Sequence, residues 1–518
     1  MDLLGNLFNR ALKLSTIRKK RKLSPYQKQR KVLKKLLSKS VHTQFGVQYK
    51  FSEIVNQFKQ KDKRNFYEYF KSRVPVYSYN KLFNEWWYRS KAGESNVTWP
   101  GKIKYFALSS GTSEASTKYI PITSDIIKAN KKTGIRQILS LAKYKLPKEI
   151  LGKGILMLGG STHLHKTETY YEGDLSGIQA SKIPFWFQFV YKPGSKIARN
   201  RDWESKLNEI VESAPKWDIG FIVGVPAWLQ IMMEKIIERH NVKTIHDIWP
   251  NLNVFVHGGV SFEPYKKGFE KLLAHPIIYI ETYLASEGFI AYQSGPDRKS
   301  MRLILNNGIF FEFVPFNENN VTSDGEVVVN PKTLMVDEVE EGVDYVILLS
   351  TCAGTWRYVI GDVIRFVDKA ACEIIITGRT KHYISLCGEH LSVDNMNHAI
   401  ELVSEELNIT IKEFAVAGVP YQSLFAHKWY IGSDDHVDPQ ILKELIDAKL
   451  KELNDDYRVE RTSALKEIFV TVLPTAVFYE WMKARGKEGG QNKFPRVLNK
   501  KLHKEWEEYI GISHSENE

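Results

Sequence analysis

Between residues 105 and 350, short runs of β-branched and aromatic residues alternate with longer stretches whose apolar residues return every three or four positions. Runs at 105–108, 155–158, 221–223, 254–256, 277–280, 326–329 and 345–349 read as strands. Stretches at 125–143, 228–239 and 265–274 read as amphipathic helices. Strands separated by helices of that length suit crossover connections more than tight hairpins. The alternation therefore predicts an α/β fold on mixed or parallel sheets. Ligands of such sheets gather beyond the carboxyl ends of the strands. Here those ends are the loops at 109–118, 159–160, 224–226, 258–259 and 282–287.

A second pattern begins near residue 384. A strand at 373–377 leads through Gly378-Arg379-Thr380-Lys381 to Leu386-Cys387-Gly388-Glu389. Helical periodicity at 393–407 and 439–453, with strands at 414–419, 428–431 and 467–472, then makes a smaller α+β unit. The expected organisation is a large N-terminal domain over 1–383 and a small domain over 384–518. No internal repeat is visible.

The net charge of +13 lies in one place. Residues 1–52 hold fourteen basic residues and a single acid, Asp2, while the remaining 466 residues balance. A globular body with no net charge is not built for nucleic acid, and none is expected as a partner. Within the arm, Arg18-Lys19-Lys20-Arg21-Lys22 precedes a helical pattern that Ser24-Pro25 would cap. Its apolar residues Val32, Leu33, Leu36 and Leu37 fit a stripe packed on the body; its lysines also fit weak contact with an anionic membrane surface. Three cysteines without a CxxC pair suit neither a disulfide framework nor a zinc site, and a reducing, cytoplasmic setting is expected. No apolar run approaches the ~20 residues of a membrane span, and Met1–Leu12 lacks the order of a secretory signal.

Directly after the first predicted strand stands Ser109-Ser110-Gly111-Thr112-Ser113-Glu114-Ala115-Ser116-Thr117-Lys118. Hydroxyls, a glycine and a closing lysine can surround phosphate with donors and charge, although the spacing is not that of a Walker A loop. Residues 119–122 read as a returning strand, so a plain polar hairpin turn is the competing account. Four further elements follow in order: Tyr283-Leu284-Ala285-Ser286-Glu287, Trp356-Arg357-Tyr358-Val359-Ile360-Gly361-Asp362, the Gly378–Lys381 and Gly388-Glu389 segments, and Asn492-Lys493-Phe494-Pro495-Arg496. Together they resemble the acyl-adenylating superfamily of acyl-CoA synthetases, adenylation domains and luciferases. They are closer to its Gretchen Hagen type branch, the acyl acid amido synthetases of the auxin-responsive promoter family. Two departures stand out: Glu114 and Ala115 where the branch has glycine, and Val359 where it has arginine, with Arg357 two residues earlier.

The resemblance implies ATP-dependent activation of a carboxylic acid to an acyl-adenylate, then transfer to an amine such as an amino acid. Transfer to coenzyme A, or a lapsed enzyme that only binds an acyl acid, is the alternative. By resemblance, Ser109, Ser110, Gly111, Thr112, Ser113 and Lys118 hold the phosphates, and Glu287 is the acid associated with Mg2+. Thr282 and Tyr283 neighbour the nucleotide, Asp362 grips the ribose, Arg379 stands at the interdomain hinge and also contacts ATP, and Lys493 reaches back during adenylation. Outside these elements, His257 before Gly258-Gly259 ends a strand and fits either a buried histidine or a lining of the acyl pocket. His163 and His165 lack a third residue at ligand spacing.

Overall fold

The computed structural model describes residues 23–515 except 60–63, 110–117, 145, 148–149, 151, 184–186, 260–261, 297, 323–324, 381–382, 385, 388, 390 and 486–493. The expected phosphate-loop residues Ser110, Gly111, Thr112 and Ser113, together with Lys493 and the Arg18–Lys22 run, thus lie outside the described residues.

Helix Pro25–Ser40 begins at a capping box, in which the Ser24 hydroxyl accepts the Gln27 N–H and the Gln27 side chain accepts the Ser24 N–H. Its apolar stripe is fully used: Leu33, Leu36 and Leu37 are buried, each contributing about 1.5–3 kcal/mol relative to exposure. Behind them, Phe45, Phe51, Trp86 and Trp356 pack edge-on and tilted into an aromatic core joining the N-terminal helices to the main sheet.

That sheet has eleven strands among the described residues and is two sheets in character. β3 (Gly154–Met157), β6 (Tyr191–Lys192), β7 (Ile219–Gly224), β8 (Val254–Gly258) and β9 (Ile278–Ala285) are parallel, each flanked by helices such as Pro226–His240 and Glu263–Glu270. From β9 onward the sheet turns antiparallel through β10 (Gly288–Gln293), β11 (Met301–Leu303), β15 (Glu373–Arg379), β14 (Tyr358–Asp368), β13 (Asp344–Thr351) and β12 (Ile309–Pro315). A separate four-stranded sheet orders β2 (Lys118–Ile122), β1 (Tyr105–Ser109), β5 (Tyr171–Gly173) and β4 (His165–Lys166). The expected returning strand is therefore real: β2 runs antiparallel to β1, with Lys118 opposite Ser109. The strand expected at 326–329 does not form. Only an isolated bridge, Val321 to Val327, survives there, and Val329 is exposed; β-branched residues without a partner strand remain loop.

Inside the antiparallel half, Arg357 and Glu312 form a buried bidentate pair at 2.9–3.1 Å. Arg357 Nη1 also donates to the carbonyls of Val74 and Lys71, and the Tyr67 hydroxyl donates to Glu312. Six hydrogen bonds from one guanidinium, the sixth to the Thr333 hydroxyl at 3.4 Å, satisfy a charge that would otherwise be costly to bury.

The C-terminal unit is α+β. β18 (Ile411–Tyr421) and β19 (Leu424–Ser433) form a hairpin, with β20 (Leu465–Leu473) parallel to β19 and β21 (Val497–Leu498) parallel to β18. Helices Val393–Leu407 and Pro439–Leu453 cover one face; Thr475–Ala484 and Lys500–Ser515 cover the other over Phe478, Trp481, Phe494 and Trp506. Helix Asp455–Thr462 and the β18–β19 turn meet helix Pro226–His240: Trp228 Nε1 donates to Glu460 at 3.1 Å, and Gln230 Nε2 donates to the Ser423 carbonyl at 3.1 Å.

Burial, reinforced by the Glu389 charge, pushes the Glu460 carboxyl up to about 8. The folded chain thus keeps a proton that the unfolded chain releases above its ordinary carboxyl range. Stability should fall as pH rises from about 4.5 to about 8 and level off beyond. Glu389 acts in the opposite sense: burial opposes its charge, but the His427 imidazole and the Cys387 and Leu386 N–H groups outweigh it and hold the carboxyl down to about 2. Its stabilisation is lost on the acid side. Glu460→Gln should narrow the gap in melting temperature between pH 5 and pH 9, read by calorimetry; an unchanged gap would show that Glu460 is already ionised in the folded protein.

Candidate active site

The parallel and antiparallel halves of the main sheet meet at the β9–β10 hairpin, and the chemistry collects there. Ser286 and Glu287 make its two-residue turn, closed by Ala285 opposite Gly288. Gly288 has φ +148°, and a Cβ on it would stand 2.8 Å from Ile309 Cδ1, so the turn requires glycine. Glu287 is therefore carried inward: it is buried, and the buried Tyr358 hydroxyl donates to it. Burial raises its pKa, partly offset by the charges of Lys118 and Arg379.

Lys118 begins β2, opposite Ser109 at the end of β1. Its ammonium stands 5.5 Å from the centroid of the Tyr79 ring, and the Tyr79 hydroxyl accepts the Tyr119 N–H at 2.8 Å. Asp362 lies on β14, directly opposite Arg379 on β15. Each carboxylate oxygen holds one donor, Arg379 Nε on Oδ1 and the Tyr283 hydroxyl on Oδ2. Gly361 before it takes φ +91° and its carbonyl accepts the Thr380 N–H, which bends β14 so that Asp362 turns to the site. Burial and the neighbouring carboxylate hold the Tyr283 phenol well above its ordinary pKa, so it stays a donor.

The structure thus brings Lys118, Glu287, Tyr283, Asp362 and Arg379 into one cluster, with Ser109 paired to Lys118 across β1 and β2. Thr282 differs: its hydroxyl donates to the His257 carbonyl at 2.8 Å and fastens β9 to β8. Arg357 does not stand in for the arginine absent at 359, because its guanidinium is spent on Glu312. His257 ends β8 as expected, buried against the rings of Phe255 and Phe262; burial pushes it down to about 4, so it is neutral near pH 7. His165 Nδ1 pairs with Glu172 at 2.9 Å, and no group of three or more metal-capable side chains exists among the described residues.

Tyr79 and Tyr358 escaped sequence reasoning as site residues. Tyr358 lies within the Trp356–Asp362 element, so its position carried a signal. Tyr79 comes from a distant N-terminal helix, and only folding places it under Lys118.

A lysine closing the β1–β2 pair, a buried acid at a sheet junction and an aspartate held by Arg379 and Tyr283 suit an adenylate-forming ligase. Comparison with known proteins agrees. The GH3 family N-terminal domain matches residues 17–165 and 161–277, the GH3 family central domain 302–379 and the GH3 family C-terminal domain 394–502. The chain belongs to the GH3 family. It is 22% identical over 557 residues to the indole-3-acetic acid-amido synthetase GH3.4 of Arabidopsis thaliana, covering 92% of this chain and 90% of that protein. Over 126 residues (23% of this chain and 21% of the other) it is 30% identical to the jasmonoyl-L-amino acid synthetase JAR4 of Nicotiana attenuata. Its fold is that of the GH3.15 acyl acid amido synthetase, with TM-score 0.54 at 18% identity and 93% of both chains covered. It is also that of 2-hydroxyisobutyryl-CoA ligase bound to 2-HIB-AMP and CoA, with TM-score 0.56 at 10% identity, covering 93% and 91%.

Proposed function

We propose that this chain activates a carboxylic acid with ATP at the β9–β10 junction and passes the acyl group to the amino group of an amino acid. The meeting of Lys118, Glu287, Asp362 and Arg379 at one sheet junction carries this reading. A carboxylate oxygen of the acid attacks the α-phosphorus, and pyrophosphate leaves with the bonding pair. The amine then attacks the acyl carbon of the mixed anhydride, AMP departs, and the amine loses a proton as the amide forms. Neither step needs a covalent bond to the protein.

In this reading Lys118 and the 109–113 hydroxyls hold the phosphates, and Asp362 accepts the ribose hydroxyl protons. Mg2+ takes hard oxygen ligands and often only one or two carboxylates beside phosphate oxygens. Glu287 fits: a buried carboxylate with Lys118 and Arg379 only partly offsetting its charge. The ion would supply charge neutralisation of the phosphates there. The domain boundary falls at 383/384, with the small domain turning about the Arg379–Glu389 segment between the two steps. No helix among the described residues is long and apolar enough to cross a membrane; a cytoplasmic setting is part of the proposal.

Acid-dependent ATP–pyrophosphate exchange across a panel of carboxylic acids tests the first step. Isolated adenylate offered amino acids or coenzyme A tests the second, and thioester without amide would reassign the acceptor. Lys118→Ala should raise the KM for ATP by roughly tenfold or more, through loss of a charge-assisted phosphate contact. Its far-UV circular dichroism should be unchanged. Unimpaired exchange would remove Lys118 from the site.

A further inference from the structure

A second cluster of charge lies at the opposite end of β10 from the Glu287 turn. The strand carries the chain about 17 Å from Gly288 to Gln293. There β10, β11 and β15 set three side chains in one row, with Tyr292 opposite Arg302 and Arg302 opposite Glu373. Lys143 ends the 3-10 turn that follows helix Ser124–Ser140 and donates to the Ser294 carbonyl at 2.7 Å. Arg298, between β10 and β11, stands 3.3 Å from Asp368 and 3.7 Å from Glu373. Arg136, near the end of the helix, lies with Arg302 close enough to the Tyr292 phenol for both charges to act on it.

These four cations are poorly compensated. Among the described residues, the acids set against them are Glu373 and Asp368. Glu373 is buried and already covered: the Ser294 hydroxyl donates to Oε1 at 3.2 Å and the Ser300 hydroxyl to Oε2 at 2.6 Å. Arg302 Nη2 reaches Oε1 only at 3.4 Å. Charge-assisted contacts normally close to about 2.7–2.9 Å, and Arg365 on Asp344 makes them at 2.7 and 3.0 Å. Arg298 and Arg302 are thus loosely held, and both are half-exposed. Lys143 and Arg136 end on neutral oxygens, the latter on Asn306 at 2.6 Å.

The strain of this arrangement is visible in its members. Burial, then the Arg302 charge, holds the Lys143 amine below its ordinary range; Glu373 offsets this only in part, and Arg298 adds to it. Among the described residues, two buried donors there find no acceptor: Arg302 Nε and the hydroxyl of Tyr144, which neighbours Tyr292. Burial pushes the Tyr144 phenol up to about 12, so it keeps its proton. Buried donors are nearly always paired in native proteins, so an open guanidinium N–H beside a repelled lysine marks a place for an acceptor.

We infer that Lys143, Arg302, Arg298 and Arg136 form a second anion site, one that takes a phosphate group. Four cations against two acids leave room for a dianion, and guanidinium forks match its oxygens. None of these residues takes part in the adenylation reading.

Equilibrium dialysis of the full chain against radiolabelled inorganic phosphate at constant ionic strength is the test. One phosphate should bind per chain, and excess chloride should not displace it. Arg302→Gln/Lys143→Gln should weaken binding roughly tenfold or more, through loss of two charge-assisted contacts. Arg298→Gln, at a half-exposed position that leaves the fold intact, should weaken it severalfold with an unchanged circular dichroism spectrum. Lys118→Ala should bind phosphate as the wild type does. Competition by glycerol 3-phosphate as strong as by unlabelled phosphate would assign the site to phosphate esters, and weaker competition to the free ion. Absence of saturable binding would overturn the proposal. So would full binding in both arginine variants, or loss in Lys118→Ala alone, which would put the anion at the catalytic cluster instead.

Discussion

Lys493→Ala should slow acid-dependent pyrophosphate exchange by about two to three orders of magnitude, the usual cost of removing one preorganised group that meets charge developing in the transition state. The residue after it explains why this lysine should travel with the small domain. Phe494 is buried among Phe478, Trp481 and Trp506 with ring centroids 4.9–5.1 Å away. Arg496 then pairs with Glu413 at 2.5 Å and donates to the Phe414 carbonyl. Residues 494–496 are thus anchored to the small sheet, and Lys493 immediately precedes them in sequence. ATP affinity, measured by equilibrium binding, should change little. A chemically prepared acyl-adenylate with an amine acceptor should still give amide at near wild-type rate. Equal losses in both half-reactions would place Lys493 in both steps and end the account of a small domain that serves them in turn.

Asp362→Ala should raise the dissociation constant for ATP at least a hundredfold, because two hydrogen bonds to a charged acceptor are lost, each worth about 1.5–3 kcal/mol. The control is a nucleotide with one hydroxyl fewer. The wild type should bind 2′-deoxy-ATP more weakly than ATP, and the variant should discriminate much less. A variant that keeps full discrimination between the two nucleotides would remove Asp362 from the ribose. Because the substitution also removes one partner of Arg379 and of the Tyr283 hydroxyl, the melting temperature should be recorded alongside.

Parts of this architecture were legible where local chemistry and packing agree. Helices Val393–Leu407 and Pro439–Leu453 form over the lengths their periodicity marks, the second opened by Asp438, whose side chain accepts the Gln440 N–H, and by Pro439 at the first turn. The parallel strands were visible as short apolar runs. The antiparallel half was harder, because β9 runs on to Ala285 and pairs through a two-residue turn that reads in sequence as part of a polar loop. Val327-Val328-Val329 misled for the reverse reason: strong β propensity without a neighbouring strand to satisfy its backbone. In the site, residues inside compact elements, Glu287 and Asp362 among them, could be named from sequence alone. What could not be read was which distant groups hold them, such as Tyr79 beneath Lys118. Nor could the inward turn of Arg357, whose φ of +43° aims it at Glu312, since nothing local announces a partner on another strand.

The Arg357–Glu312 pair bears on how such a protein changes over generations. Losing either member alone leaves an uncompensated buried charge and should cost about 3–5 kcal/mol, a large share of a domain's whole stability. Replacing both by apolar residues of similar volume can be nearly neutral. Descent from one state to the other therefore crosses a valley that a single substitution falls into. The two positions should be inherited together, and across relatives the one should predict the other even where the residues around them have drifted freely.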